Sequence, residues 1–143
     1  IIGGPVSDSD KKYYEYLKNN FVLKNVSITG IIDNVASILK ANDFYIHPSY
    51  REGIPRSLIE AMSVGLIVLA TSIRGAREII THNKNGYLYP AKNRDILFQN
   101  AEFLINMTNN KKNFIIKNSL KTIEEYDEKK YLNRQISGII NIL

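Results

Sequence analysis

Apolar residues in this chain gather in short continuous runs separated by stretches with helical spacing, a pattern that predicts an α/β domain. Lys11 to Asn20 reads as a helix capped by Ser9 or Asp10, with Tyr13, Leu17 and Phe21 spaced to face a core and a stacking surface as the other use of its tyrosines. Val26-Ser27-Ile28-Thr29 alternates as a strand does, and Gly30 ends it. Asp33 or Asn34 can cap a second helix, whose Val35, Ile38 and Leu39 share one face. Phe44-Tyr45-Ile46 then reads as a buried strand running into His47. The chain bends at Pro48-Ser49 and Glu52-Gly53, and after Pro55 the residues Leu58, Ile59, Ala61 and Met62 recur at helix spacing. Gly65 stands where a left-handed cap ends that helix.

Leu66 to Ala70 is a continuous apolar strand of the kind found in parallel sheets covered on both faces. A helix from Ala76 towards Thr81, a turn at Asn83-Lys84-Asn85-Gly86 and a short strand from Gly86 to Tyr89 follow. From Asp95 onward the chain reads as helical, with Leu97, Ala101 and Leu104 on one face. Leu132, Ile136, Ile139 and Leu143 make another. The architecture expected is a Rossmann-like three-layer sandwich with a mostly parallel sheet. Ile1-Ile2-Gly3-Gly4-Pro5 opens like the tail of a strand, so further sequence is expected upstream.

The strand, loop and helix from Phe44 to Met62 form the junction at which α/β sheets bind ligands, beyond the carboxyl ends of their strands. Two carboxylates frame it, Glu52 on the loop and Glu60 in the helix. Between them lie Gly53 and the helix's opening amides, which together with the helix dipole favour phosphate. A carboxylate is a bidentate acceptor for vicinal hydroxyls. A phosphate cradle between two such groups suits a nucleotide sugar. Ordinary roles remain open for both: Glu60 pairing with Arg56 at i, i+4, and Glu52 as an exposed loop acid. His47, Arg74, Arg77 and Glu78 lie nearby in sequence and read as structural or surface residues.

The chain's 143 residues suit one domain, and 44% hydrophobic with 23% charged residues is ordinary globular composition. No apolar run approaches the roughly 20 residues of a membrane-spanning helix. There is no cysteine, so disulfide, thiolate and zinc-ribbon chemistry are excluded. These features fit a cytoplasmic protein. The net charge of +5 is scattered among acids rather than gathered in a stripe, which argues against nucleic acid as a partner. Contact with anionic lipid head groups at the inner face of the cell membrane stays open.

The run Pro48-Ser49-x-x-Glu52-Gly53-x-Pro55-x-x-Leu58-x-Glu60-Ala61-Met62 resembles the Glu-x7-Glu signature of family 4 retaining glycosyltransferases, enzymes of the two-domain GT-B architecture. The similarity continues through Gly65-x-x-Val68, Gly75-x-x-Glu78-Ile79-Ile80 and Asn85-Gly86-x-Leu88. The resemblance implies that residues 1–143 are the donor-binding domain of such an enzyme. It places Glu52 near the reacting carbon of the donor sugar, as catalytic residue, and Glu60 on the ribose hydroxyls. It sets the amides of Gly53 and Ile54 towards the sugar and those around Arg56, Ser57 and Leu58 towards the diphosphate. Gly30 and Ile31 would lie against the nucleotide base, although Gly30 reads equally as a turn residue. The substrate would be a nucleoside diphosphate sugar, with no metal or other cofactor required.

This sequence departs from the family in three ways. The family's basic pair that clamps the diphosphate, the first strand carrying it and the acceptor-binding domain would all precede Ile1. Pro55-Arg56-Ser57 replaces glycine and small apolar residues, so the cradle loses one N–H and gains one cation. The Gly53-x-Pro55-Arg56-Ser57 form resembles members that build bacterial capsular, O-antigen and lipid-linked polysaccharides. A glycan or lipid-linked acceptor would then be reached through the other domain. Two readings remain beside it: a non-catalytic nucleotide-sugar-binding module, and a nucleotide-sugar 2-epimerase domain.

Overall fold

Every named strand of the protein pairs in parallel among the residues that the computed structural model describes, 2–3, 11–20 and 26–126. The chain separates into two units, Ile1–Val35 and Ala36–Leu143. In the first, β1 (Ile2–Gly3) pairs with β2 (Ile28–Gly30), and α1 (Lys11–Asn20) lies between them in sequence. The expected core stripe on α1 does not hold at Tyr13, which is 64% exposed. Its ring stacks on Tyr16 instead, with centroids 6.3 Å apart, as residues three apart on a helix can. Phe21 and the caps Ser9 and Asp10 lie outside the described residues.

The second unit follows α2 (Val35–Lys40) with β3 (Phe44–His47), α3 (Arg56–Ser63), β4 (Ile67–Thr71), α4 (Arg74–Ile79), β5 (Tyr87–Tyr89), α5 (Arg94–Ile105) and α6 (Asn109–Ile123). A short 3-10 turn, Glu124–Tyr126, ends the described chain. The sheet runs β3-β4-β5, with Phe44 opposite Ile67 and Thr71 opposite Tyr89.

All five residues of β4 are buried, and the first four alternate between two apolar clusters. Val68 and Ala70 join Leu58, Ala61 and Met62 of α3 and Ala76 and Ile79 of α4. Ile67 and Leu69 join Tyr87 and Tyr89 of β5, Leu104 of α5 and Ile115 of α6. Helices therefore cover both sheet faces, the condition under which a strand can be apolar throughout. On β3 the expected burial fails at Ile46, which is 45% exposed, because β3 has a partner strand on one side only within this sheet.

Local signals set the element ends. Gly65 adopts φ +85°, with Leu66 N–H donating to Ala61 O and Gly65 N–H to Met62 O, both at 3.1 Å. That is the two-bond left-handed helix stop, and it absorbs Leu66, so β4 begins at Ile67. The helix expected from Ala76 starts instead at Arg74, after an extended Ile73. The helical chain expected from Asp95 is present as α5 and α6, separated at Asn106–Thr108, while Leu132, Ile136, Ile139 and Leu143 lie outside the described residues. Buried Asn85 ties the turn before β5 to its surroundings. Its side chain accepts from Thr81 N–H at 2.7 Å and donates to Ile79 O at 3.0 Å and Thr122 Oγ1 at 2.9 Å. Among the described residues no helix is long and apolar enough to cross a membrane.

Candidate ligand site at the carboxyl edge of the sheet

Because β3, β4 and β5 are parallel and each leads into a helix, the segments 48–55, 72–73 and 90–93 all leave the same edge of the sheet. The first of these is held at three points. Thr71, 1% exposed at the end of β4, directs its hydroxyl at the carbonyls of His47, 3.1 Å away, and Ser49. Pro55, fully buried, fixes the far end and opens α3. Gly75 supports the middle. A Cβ at that position would lie 1.4 Å from Gly53 O and 3.1 Å from Glu52 O, so the Glu52–Gly53 backbone rests where any side chain would stand.

The side chains expected to act remain open to solvent. Glu52, Gly53, Ile54, Arg56 and Glu60 are exposed and Ser57 half-buried, whereas Leu58 is wholly buried in the core. Leu58 N–H donates to Pro55 O at 3.1 Å and is thereby spent inside the helix start. Among the described residues, the N–H groups of Gly53, Ile54, Arg56 and Ser57 have no hydrogen-bond partner. α3 has no side-chain cap and no acid in its first turn, so its positive end stays uncompensated. The alternative for Glu60, a pair with Arg56, does not form; among the described residues the close acid–base contacts are His47–Glu52 and Arg74–Glu78. Gly30, with φ +69°, and Ile31, 75% exposed, belong to the first unit.

His47 reads as structural in the sequence because no partner adjoins it there, and the fold brings it beside Glu52. His47 Nε2 lies 3.1 Å from Glu52 Oε1. Tyr50, on the same loop, has Lys92 Nζ 6.0 Å from its ring centre. Tyr50 also lies near Tyr89, whose pKa is raised by burial first and by Tyr50 second, against a lowering hydrogen bond with Thr71. Tyr89 therefore stays a neutral phenol at the base of the edge. Arg74 and Arg77 keep surface roles, Arg74 pairing with Glu78 at 3.3 Å and Arg77 donating to Ser72 O.

This arrangement leaves unpartnered amides that can meet an anion and two exposed carboxylates that can accept from hydroxyl groups. A family model described as Glycosyl transferases group 1 matches residues 1–122, and the chain belongs to that family. It is 31% identical over 140 residues to an uncharacterized glycosyltransferase of Methanocaldococcus jannaschii, covering 90% of this chain and 35% of that protein. It is also 31% identical over 111 residues to the UDP-Gal:alpha-D-GlcNAc-diphosphoundecaprenol alpha-1,3-galactosyltransferase of Escherichia coli, covering 78% of this chain and 28% of that one. The crystal structure of Anabaena HepE in complex with UDP superposes with a TM-score of 0.87 at 23% identity, over 99% of this chain and 40% of HepE. The fold is thus the Rossmann-like α/β fold of GT-B glycosyltransferases. The chain spans about a third of the length of these relatives.

Proposed function

We propose that this chain is the donor-binding half of a retaining glycosyltransferase that moves a sugar from a nucleoside diphosphate sugar to a glycan or lipid-linked acceptor in bacterial surface-polysaccharide synthesis. Family membership supports the reaction class, and the names of the relatives support the polysaccharide setting. One observation carries the site assignment: the run of unpartnered amides at Gly53, Ile54, Arg56 and Ser57 lies between exposed Glu52 and exposed Glu60 in the chain.

In this reading the amides of Arg56 and Ser57 and the α3 dipole meet the diphosphate, and the Arg56 side chain adds a cation. Gly53 and Ile54 present their N–H groups to the sugar, while Glu60 accepts from the ribose hydroxyls. Glu52 contacts the sugar near the reacting carbon, where charge develops as the diphosphate departs. Stabilisation of the leaving group falls to the protein, and no metal is needed. Acceptor binding belongs to a further domain of the complete protein, working in the cytoplasm at the inner membrane face.

The test is Glu52→Ala in the full-length protein, assayed for sugar transfer beside donor binding. Loss of transfer with the fold and binding retained is the expected result. Unchanged turnover would remove Glu52 from the reaction.

A further inference from the structure

His47 is the last residue of β3 and only 8% exposed. Its Nε2 is buried and makes no hydrogen bond of regular geometry among the described residues. Glu52 Oε1 lies 3.1 Å from it without the alignment of a hydrogen bond, on a carboxylate whose side chain is 37% exposed and which a small rotation would bring into line. A buried ring nitrogen without a partner is unfavourable. An ionised carboxylate can only accept, so relief of that cost requires a proton on Nε2. The imidazole itself cannot drift. His47 sits in register opposite Ala70, its carbonyl receives the Thr71 hydroxyl, and its ring lies 6.1 Å from that of Tyr45, 24° from parallel.

We propose that His47 is a positioning residue for Glu52: its Nε2–H grips one carboxylate oxygen from below the loop and turns the other towards the ligand edge. The proposal rests on the reading of Glu52 as the group facing the donor sugar. The loop by itself provides no such fixation. Gly75 and Thr71 settle its backbone, but the Glu52 side chain has no other described partner. A carboxylate acting at a reacting carbon needs its orientation held to within about 0.5 Å, and a rigid ring on a strand end holds it better than a loop does. Losing the grip leaves donor binding intact and disorders only the group that matters in the transition state.

Two measurements test this in the full-length protein. Long-range 1H–15N correlation spectra of the imidazole report which nitrogen carries the proton. The expected result is a protonated Nε2 whose signal moves in Glu52→Gln; a bare Nε2 with the proton on Nδ1 would overturn the proposal whatever the enzyme's reaction. Kinetically, His47→Ala is expected to lower kcat by between about tenfold and a hundredfold with donor KM held within about twofold. His47→Gln, which keeps an N–H donor at similar reach, recovers most of that loss. An unchanged kcat in His47→Ala, or equal losses in both variants, would contradict the role. Should His47→Ala fail to fold, the spectra and His47→Gln still decide. Glu52→Ala turning over normally would instead sink the underlying site assignment and leave the spectroscopic result standing.

Discussion

Three helices open at the carboxyl edge of the sheet, and they open differently. α5, after β5, begins with Asn93, whose side chain accepts from Ile96 N–H at 3.0 Å, and carries Asp95 in its first turn. α3 and α4, after β3 and β4, begin with Pro55 and Ile73, have no side-chain cap and have no acid in their first turns. A cap contributes about 1 kcal/mol, and an acid near a helix start a few tenths more. The same protein thus completes one helix start from its own side chains and leaves its neighbours bare. In the proposed reading α5 serves the fold, while the start of α3, set apart from the equally bare α4 by the Glu52 loop beside it, is left for a ligand.

The sharpest break in that comparison comes from Glu52→Ala. It is expected to lower transfer by at least about a hundredfold while thermal unfolding stays within a few degrees of wild type. Next is Gly75→Ala. The new methyl must displace the Gly53 carbonyl, so overpacking is expected to cost about 1–3 kcal/mol of stability. The displaced loop should also weaken UDP binding by about tenfold; wild-type affinity in a folded variant would show that the loop does not form the site. The smallest effect belongs to the capped helix. Asn93→Ala should cost about 1 kcal/mol in denaturant unfolding and leave UDP affinity unchanged. A binding loss as large as that of Gly75→Ala would erase the distinction between the helix starts.

Features written over a few neighbouring residues were legible in the sequence. Gly65 reads as a helix stop because only a left-handed residue makes both closing bonds, and Leu66 to Ala70 reads as buried because nothing polar interrupts it. Pro55 announces the start of α3 for the same local reason. What escaped depends on chain folding back on itself. Gly75 is 22 positions from Gly53, and no spacing rule links them; the close approach exists because α4 and the Glu52 loop leave adjacent strands at one edge. His47 and Glu52 are near in sequence, yet their contact depends on how the loop between them curls. The resemblance sets the Leu58 amide beside those of Arg56 and Ser57 at the diphosphate, but the tight turn onto Pro55 O uses that N–H. Periodicity favours a core for Tyr13 over a stacking surface, and it cannot separate an apolar face from the exposed aromatic pair that Tyr13 and Tyr16 form.

The measurement that tests the account most directly is calorimetric titration of the full-length protein with UDP, wild type beside Glu60→Ala. A donor site between the two carboxylates predicts binding by wild type and a loss of about tenfold or more in the variant, as removal of a charged hydrogen-bond acceptor from ribose hydroxyls should give. Equal affinity in a folded Glu60→Ala protein would contradict the placement of the nucleotide on α3.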